Sequence, residues 1–516
     1  MTQSHDIPFL IGSDFIDRHN VAWRVELGQA DAANPLIEPE TPWADGISFM
    51  HGTVLRDPID GKWKAWGVGA PSDTFDRRVV YYESDDGVSW QQPEFDLHPF
   101  EGHDQTNILL DLDSGGTSIY ANVLIDPGAP SKRRYEMYVL RRPEEPEDRP
   151  PTSAVRGFYR ADGTPTNERG VYRYVSADGV HWNPDVGPVL VNDPYPLARN
   201  GTADGFFVYR DGEGYVIYHK TIVEALPGGL IPYELSPGGC RILVQRRSVD
   251  GVNWSPHEPC LMPDWRDTPD TQFMEMSVTP VSGGYVGILT VYRTGNQTLE
   301  LQFTASRDGR HWWRPDRRAC VPMPALGDYG GGMMWGTHHM IEDGDNLHYY
   351  YGGIEGLHGD MLATSEMDEI ARSLGRPIKA LKPLLGESMT RLSNEPRHHG
   401  ALCRATWRRG RLWGLTTTSG GSTEGYATTD STMKRGQVLD VSVETLRDGQ
   451  LRAELVTEDG SAVPGFSRDD CDGVQGDSLR SHVTWTGRSQ APADNLRVRF
   501  VLRRARLYGF EFVETS

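Results

Sequence analysis

Four carboxylates in this 516-residue chain sit in sequence contexts that could do chemistry. Glu275 lies between Met274 and Met276 in an otherwise apolar run, and a buried strand has no use for a charge unless it points at something. Asp204 falls in Asn200-Gly-Thr-Ala-Asp-Gly205, Asp45 in Pro42-Trp-Ala-Asp-Gly46 and Asp104 in His103-Asp-Gln-Thr-Asn107. Two carboxyl groups, one ionised as nucleophile or base and the other protonated as acid, are the equipment for breaking an acetal bond held between them. Nearby like charge and partial burial would raise the acid toward neutrality. Glu275 is the expected acid, and Asp204 the expected nucleophile or modulator of the acid. Asp45 and Asp104 compete for the nucleophile's place. Plainer roles exist for each: Glu275 paired with Arg266 or Arg293 inside a sheet, Asp204 as an Asp-Gly turn residue, Asp45 as a loop cap.

The elements that must position these groups announce themselves through a repeat. Ser84-Asp-Asp-Gly-Val-Ser-Trp90 returns as Ser176-Ala-Asp-Gly-Val-His-Trp182, Ser248-Val-Asp-Gly-Val-Asn-Trp254 and Ser306-Arg-Asp-Gly-Arg-His-Trp312. A fixed S-x-D-G-x-x-W unit is the mark of a repeated supersecondary element. Asp-Gly supplies the positive φ of a hairpin, Ser and Asp can bond the turn's own amides, and the Trp restarts a strand. Each copy follows an apolar strand, a turn and a second strand, so each is read as the outer hairpin of a four-stranded blade. The paired strands begin near His51, Asn122, Phe207, Met276 and His339, the fifth unit keeping only a degenerate heptapeptide at Leu362–Glu366. The expected fold is therefore all-β: a five-bladed β-propeller over residues 1–390, with a short helix at Asp368–Leu374. From residue 391 the repeat stops, and alternating strands such as 436–444, 451–456, 496–501 and 505–512 suggest a C-terminal β-sandwich.

In a propeller the first residues of each innermost strand face one central funnel. That register directs Glu275 and Asp204 to the axis, with Asp45, His103-Asp104, Arg199, Asp270 and Asp328 on the rim and Asn107 a further candidate for binding substrate. His51, Asn122, Trp335, His338 and His358 are the further candidates for holding a ligand by hydrogen bonds or stacking, although His51 and Asn122 could equally be satisfied within the core. The repeated Asp86, Asp178, Asp250 and Asp308 read as structural, because chemistry is needed once and not at every blade.

A formal charge of −20 argues against nucleic acid or an anionic membrane as partner. No apolar run is long enough to span a bilayer as a helix, and the first residues lack a signal-peptide pattern, so a cytoplasmic location is expected. Five dispersed cysteines read as buried thiols. H-E-x-x-H, P-loop, G-x-G-x-x-G and G-x-S-x-G patterns are lacking, so no cofactor is expected, although a structural Ca²⁺ on the axis is compatible with the pattern. His338-His339 is not expected to share a metal, since neighbours on a strand face opposite ways.

The S-x-D-G-x-x-W turns, Gly52-Thr-Val-Leu-Arg-Asp-Pro58, Gly465-Phe-Ser-Arg-Asp-Asp-Cys471 and the tail from Val483-Thr-Trp485 to Leu507-Tyr508 carry a resemblance. Together they resemble glycoside hydrolase family 32, the invertases and fructanases, and its five-bladed relatives in family 43. The chain departs from that pattern in lacking W-x-N-D-P-N-G and a Glu-Cys acid motif, and Arg56-Asp-Pro58 stands in the first unit instead of the second. The resemblance implies a hydrolase of glycosidic bonds, furanosides such as fructosides or arabinosides, with an oligosaccharide or glycoside as partner and a homo-oligomer allowed. It also places Asp45 where the superfamily keeps its nucleophile. Transfer of a glycosyl unit to a sugar or to phosphate, aided by Arg199 with His51 or His338, and carbohydrate binding without chemistry remain the alternatives.

Overall fold

The computed structural model describes residues 6–72, 76–111, 117–142, 170–191, 204–212, 214–224, 239–358, 399–418 and 423–515. Within them the chain is all-β, its only helices being single 3₁₀ turns at Gly12–Asp14 and Ser131–Arg133. The degenerate heptapeptide at 362–366 and the expected helix at 368–374 lie outside the described residues.

Antiparallel meanders follow one another along the chain. The first runs through Ile47–Arg56, Trp63–Ala70, Arg78–Ser84 and Trp90–Gln91. The second uses Thr117–Ile125, Tyr135–Arg142, Gly170–Ser176 and Trp182–Val191, and the third Phe206–Asp211, Gly214–Glu224, Gly239–Ser248 and Glu258–Leu261. The next is Thr271–Val281, Gly284–Arg293 and Thr298–Ser306, edged by the bridge of Trp313 to Ala305. In the last, Asn346–Ile354 pairs with Met333–Gly336 and Ile341–Asp343 on one side and with Gly400–Arg408 on the other. Its outer edge is closed from the far end of the chain, Gln29–Ala30 pairing with Ala405 and Thr406.

Each heptapeptide builds the turn expected of it. In the second copy Ser176 Oγ accepts from the Gly179 amide at 2.9 Å, and Asp178 Oδ1 accepts from the amides of Val180 and His181, both at 2.9 Å. Gly179 has φ 82°, and a Cβ there would lie 2.9 Å from the Trp66 ring. That contact exposes a second duty of the turn. Trp66 Nε1, on the second strand of the first meander, donates to the Gly179 carbonyl at 2.7 Å. Tyr138 donates to Gly251 at 3.2 Å, Tyr218 to Gly309 at 2.7 Å and Tyr350 to Gly87 at 2.7 Å. Each turn is thus bolted to the second strand of the preceding meander, and Tyr350 joins the last meander to the first. The repeat Trp takes part: Trp312 meets Tyr218 edge-on at 5.5 Å and Trp90 meets Tyr350 at 6.0 Å.

Apart from Ile108–Leu110, which pairs with Arg78–Ser84, the remaining strands form one hydrogen-bonded antiparallel sheet of seven strands around a core that includes Leu439, Val441, Trp485, Val498 and Phe500. Sequence patterning suggests separate strands at 436–444 and 451–456, and again at 496–501 and 505–512. In the structure each pair is a single long strand, Val438–Val456 and Arg497–Val513. Asp448 and Gly449 lie in a bulge facing Arg504, with φ 63° at Asp448 and 48° at Arg504. Phe15–His19 and Val21–Val25 also belong to this sheet, while Gly400–Arg408 belongs to the last meander, so strand pairing crosses the division at residue 390 in both directions. Phe303 and Trp413, 5.5 Å apart, lie in a core shared by meanders and sheet.

Ser176→Ala removes the acceptor of a buried amide and is expected to destabilise by about 1–3 kcal/mol, whereas Tyr350→Phe, which loses one hydrogen bond, is expected to cost about 1 kcal/mol. Thermal unfolding of both variants checks this ordering.

Candidate functional site

The innermost strands of the meanders converge on one point, and their backbones are distorted there in a common way. Register shifts interrupt pairing between Met50 and Thr53, opposite Tyr120-Ala121, and at Met274. His51, Tyr120 and Asp204 adopt φ of 46°, 65° and 59°, a region that costs non-glycine residues energy. Such bulges re-aim side chains. Here they gather His51, Tyr120 and Glu275, and Asp204 joins them from the turn just before Phe206–Asp211.

Glu275 is fully buried (0 %). Its Oε1 accepts from the Gly336 amide at 2.6 Å and from the Thr290 hydroxyl at 3.4 Å, and its Oε2 lies 3.3 Å from His51 Nδ1. Gly336 is required by this packing, since a Cβ would fall 2.6 Å from the Tyr349 hydroxyl and 3.3 Å from Glu275 Oε1. Neither arginine weighed as a partner takes that place: Arg293 bonds Glu300 at 2.6 Å, and Arg266 is exposed. His51, 3 % exposed, is held neutral-leaning by burial, which lowers its pKa, while Glu275 and Asp204 pull the other way and Arg77 adds to the lowering. Its ring lies 4.2 Å from Tyr120 and 4.3 Å from Trp335. The aromatic wall continues through His358, 5.9 Å from Trp335 and 4.7 Å from Tyr292, and on the other side through Phe206, 5.4 Å from Tyr120.

Asp204 forms an ion pair with Lys220 at 2.5 Å, and that ammonium also approaches Met274 Sδ at 4.0 Å. Lys220 and Thr290 escaped the sequence reading as site residues, whereas Tyr120 and Gly336 fall within the stretches 120–122 and 335–337 that the strand register directs to the funnel. A signal existed for Lys220: like Glu275 it is a charge within an apolar strand, in Tyr215-Val-Ile-Tyr-His-Lys220.

Other candidates are placed differently. Asp45 is exposed, its Oδ1 accepting from the Ser72 amide at 2.7 Å and its Oδ2 from the Ser72 hydroxyl at 3.0 Å. Asp104 is exposed as well. Asn107 is buried, accepting from Trp43 Nε1 at 2.7 Å and donating to the Tyr81 carbonyl at 2.9 Å. Asn122 ties two meanders, its Oδ1 accepting from the Val208 amide at 2.9 Å. Arg199 lies outside the described residues. His338 donates from Nε2 to the Val208 carbonyl at 2.6 Å, which leaves Nδ1 to accept from His339 Nδ1 at 3.0 Å. The two rings therefore face each other, contrary to the strand-alternation argument, because the strand ends at Gly336. Among the described residues no group of three or more His, Cys, Asp or Glu side chains is arranged to hold a metal ion.

Neither a protein-family model nor a curated protein matches the sequence. Solved structures resemble it at low identity. A family 43 arabinoxylan arabinofuranohydrolase from Bacillus subtilis, in complex with cellotetraose, is 11 % identical, with 94 % of this chain and 98 % of that one covered and a TM-score of 0.39. A family 43 enzyme from Xanthomonas citri complexed with xylotriose is 10 % identical over 73 % and 90 % of the two chains, TM-score 0.39. A structure described as a glycoside hydrolase is 12 % identical over 78 % and 92 %, TM-score 0.42.

His338 and His219 are both buried, and burial pushes each down to about 3, with neighbouring His339 and Arg246 adding to the effect. Below the usual value of 6.5 the unfolded chain binds protons that the folded one refuses, so stability is complete above about 6.5 and is lost as pH falls toward 3. The melting temperature is expected to drop between pH 7 and pH 5, and His338→Gln is expected to flatten that slope.

Proposed function

We propose that this chain is an enzyme acting on glycosidic bonds, a glycoside hydrolase whose meanders are the blades of a five-bladed propeller. The observation that carries the reading is the meeting of two carboxylates in an aromatic-walled centre: Glu275, on a distorted inner strand, lies 3.3 Å from His51, and Asp204, just before the inner strand Phe206–Asp211, acts electrostatically on the same ring. Acetal cleavage needs two carboxyl groups in different environments. Asp204 is an ion pair with Lys220 and suits the nucleophile or base. Glu275, fixed by Gly336 and Thr290 through Oε1, keeps Oε2 toward His51 and suits the acid. Proton delivery to the leaving oxygen would pass from Glu275 directly or by way of His51, whose neutral ring can take and return a proton. Trp335 and Tyr120 wall the centre beside His51, and furanosides such as fructosides or arabinosides are the proposed substrates. Asp45, tied to Ser72 at the surface, is better suited to shaping the loop before the first inner strand.

The complete burial of Glu275 favours a second reading, a carbohydrate-binding propeller in which the Glu275–His51 contact only joins inner strands. Assays on a panel of aryl furanosides and pyranosides separate the two. Glu275→Gln and Asp204→Asn are each expected to lower kcat by about 10²–10⁴-fold while the melting temperature stays within a few degrees. Wild-type activity in both variants would sink the catalytic assignment.

A further inference from the structure

A second site lies away from the inner strands, where the C-terminal sheet meets the meanders. Here a cleft of about 660 Å³ is lined by Arg18, Trp23, Arg266, Trp313, Asp316 and Arg318 among others. That volume falls in the range of ligand sites, roughly 300–1,000 Å³. One wall is the edge of the strands Phe15–His19 and Val21–Val25, and the other is formed by loops 262–270 and 313–318.

The charge arrangement there is directional. Two aspartates of the 262–270 loop are consumed below the cleft: Asp267 pairs with buried Arg314 at 2.7 Å and with Arg317 at 3.3 Å, and Asp264 pairs with Arg317. Asp316 is held by Arg318 at 2.6 Å. Arg266 and Arg18 make none of the ion pairs among the described residues, and Arg18 instead lies 5.8 Å from the Trp23 ring. In a protein of formal charge −20, two guanidinium groups that make no ion pair among the described residues thus face one cleft. Aromatic surface accompanies them: Trp23 and Trp313, in the cleft's lining, meet edge-on at 4.8 Å, and Trp265, outside that lining but next to Arg266 in the chain, is 91 % exposed.

We propose that this cleft binds an acidic oligosaccharide. Arg18 and Arg266 would take the carboxylates of uronic acid units through their planar forks, and Trp265 would stack on the apolar face of a pyranose ring. Such a site would hold a charged glycan on the enzyme independently of the centre around Glu275, so the inference does not rest on the proposed reaction.

The probe is tetragalacturonate, titrated calorimetrically into the full chain. Binding is expected at low salt and should weaken on raising NaCl from about 0.05 to about 0.5 M, as screening requires. A neutral tetrasaccharide is expected to bind at least about tenfold more weakly, and the Arg18→Gln/Arg266→Gln double variant to lose about tenfold in affinity with an unchanged melting temperature. Trp265→Ala should weaken binding while leaving the salt dependence intact, and Glu275→Gln should leave it unaltered. The proposal is overturned by failure of tetragalacturonate to bind at millimolar concentration, by equal binding of the neutral sugar, or by inorganic phosphate displacing the ligand without regard to Trp265. Loss of binding in Glu275→Gln with retention in the arginine double variant would move the ligand to the inner-strand centre and equally overturn it.

Discussion

The joint between a glycine carbonyl and an aromatic donor holds the meanders in register. A hairpin turn normally spends its carbonyls on water. In this protein the carbonyls of Gly87, Gly179, Gly251 and Gly309 are instead aimed at Tyr350, Trp66, Tyr138 and Tyr218 of neighbouring units. The Ser and Asp of each heptapeptide saturate the turn's amides, which fixes the carbonyl's direction. Although burial opposes it, the amides of His181 and Val180 and the His181 ring hold the Asp178 carboxyl at about 2, a measure of how firmly that turn is set. Because an unmade buried hydrogen bond costs more than a made one gains, each joint penalises misaligned neighbours more than it rewards aligned ones.

Register matters because the centre is assembled from residues far apart in the chain. His51, Tyr120, Asp204, Glu275 and Gly336 come from different meanders, and a shift of one residue in any of them would turn its side chain to the other face. The bulges near His51, Tyr120 and Glu275 are tolerated because pairing resumes on either side of them. Their cost is carried by long flanking ladders, such as the regular pairing of Tyr285–Arg293 with Thr298–Ser306. Glu275 illustrates the result: a charge in the core accommodated by one backbone amide, one hydroxyl and one imidazole.

The two ends of the chain contribute to both bodies of structure. Residues 29–30 edge the last meander, and Asp31 and Asn34 lock onto Arg404, the latter donating to its carbonyl at 2.9 Å. Residues 15–25 complete the C-terminal sheet. The sheet is therefore tied to the meanders by strand exchange as well as by the Phe303–Trp413 core. The arginine-lined cleft lies along that tie, where charges from Arg18 and Arg266 meet although 248 positions (266 − 18) separate them in sequence.

Local chemistry made much of this legible in advance. Asp-Gly turns with a following Trp dictated hairpins, apolar alternation dictated the strands around 51, 122, 207 and 276, and an isolated charge among methionines marked Glu275, whereas the strand expected from His339 is split into Met333–Gly336 and Ile341–Asp343 with His339 between them. The sequence alone therefore determined the all-β class, the turn geometry and the level at which inner strands face one another. It did not determine Lys220 as the partner of Asp204, the role of Asn107 and Asn122 as structural ties, or the meeting of His338 with His339. Nor did it reveal that Asp448-Gly449 is a bulge inside one long strand. Those outcomes depend on which groups lie within about 3 Å across different strands, and hydrogen bonding at that range follows tertiary proximity, which no local pattern encodes.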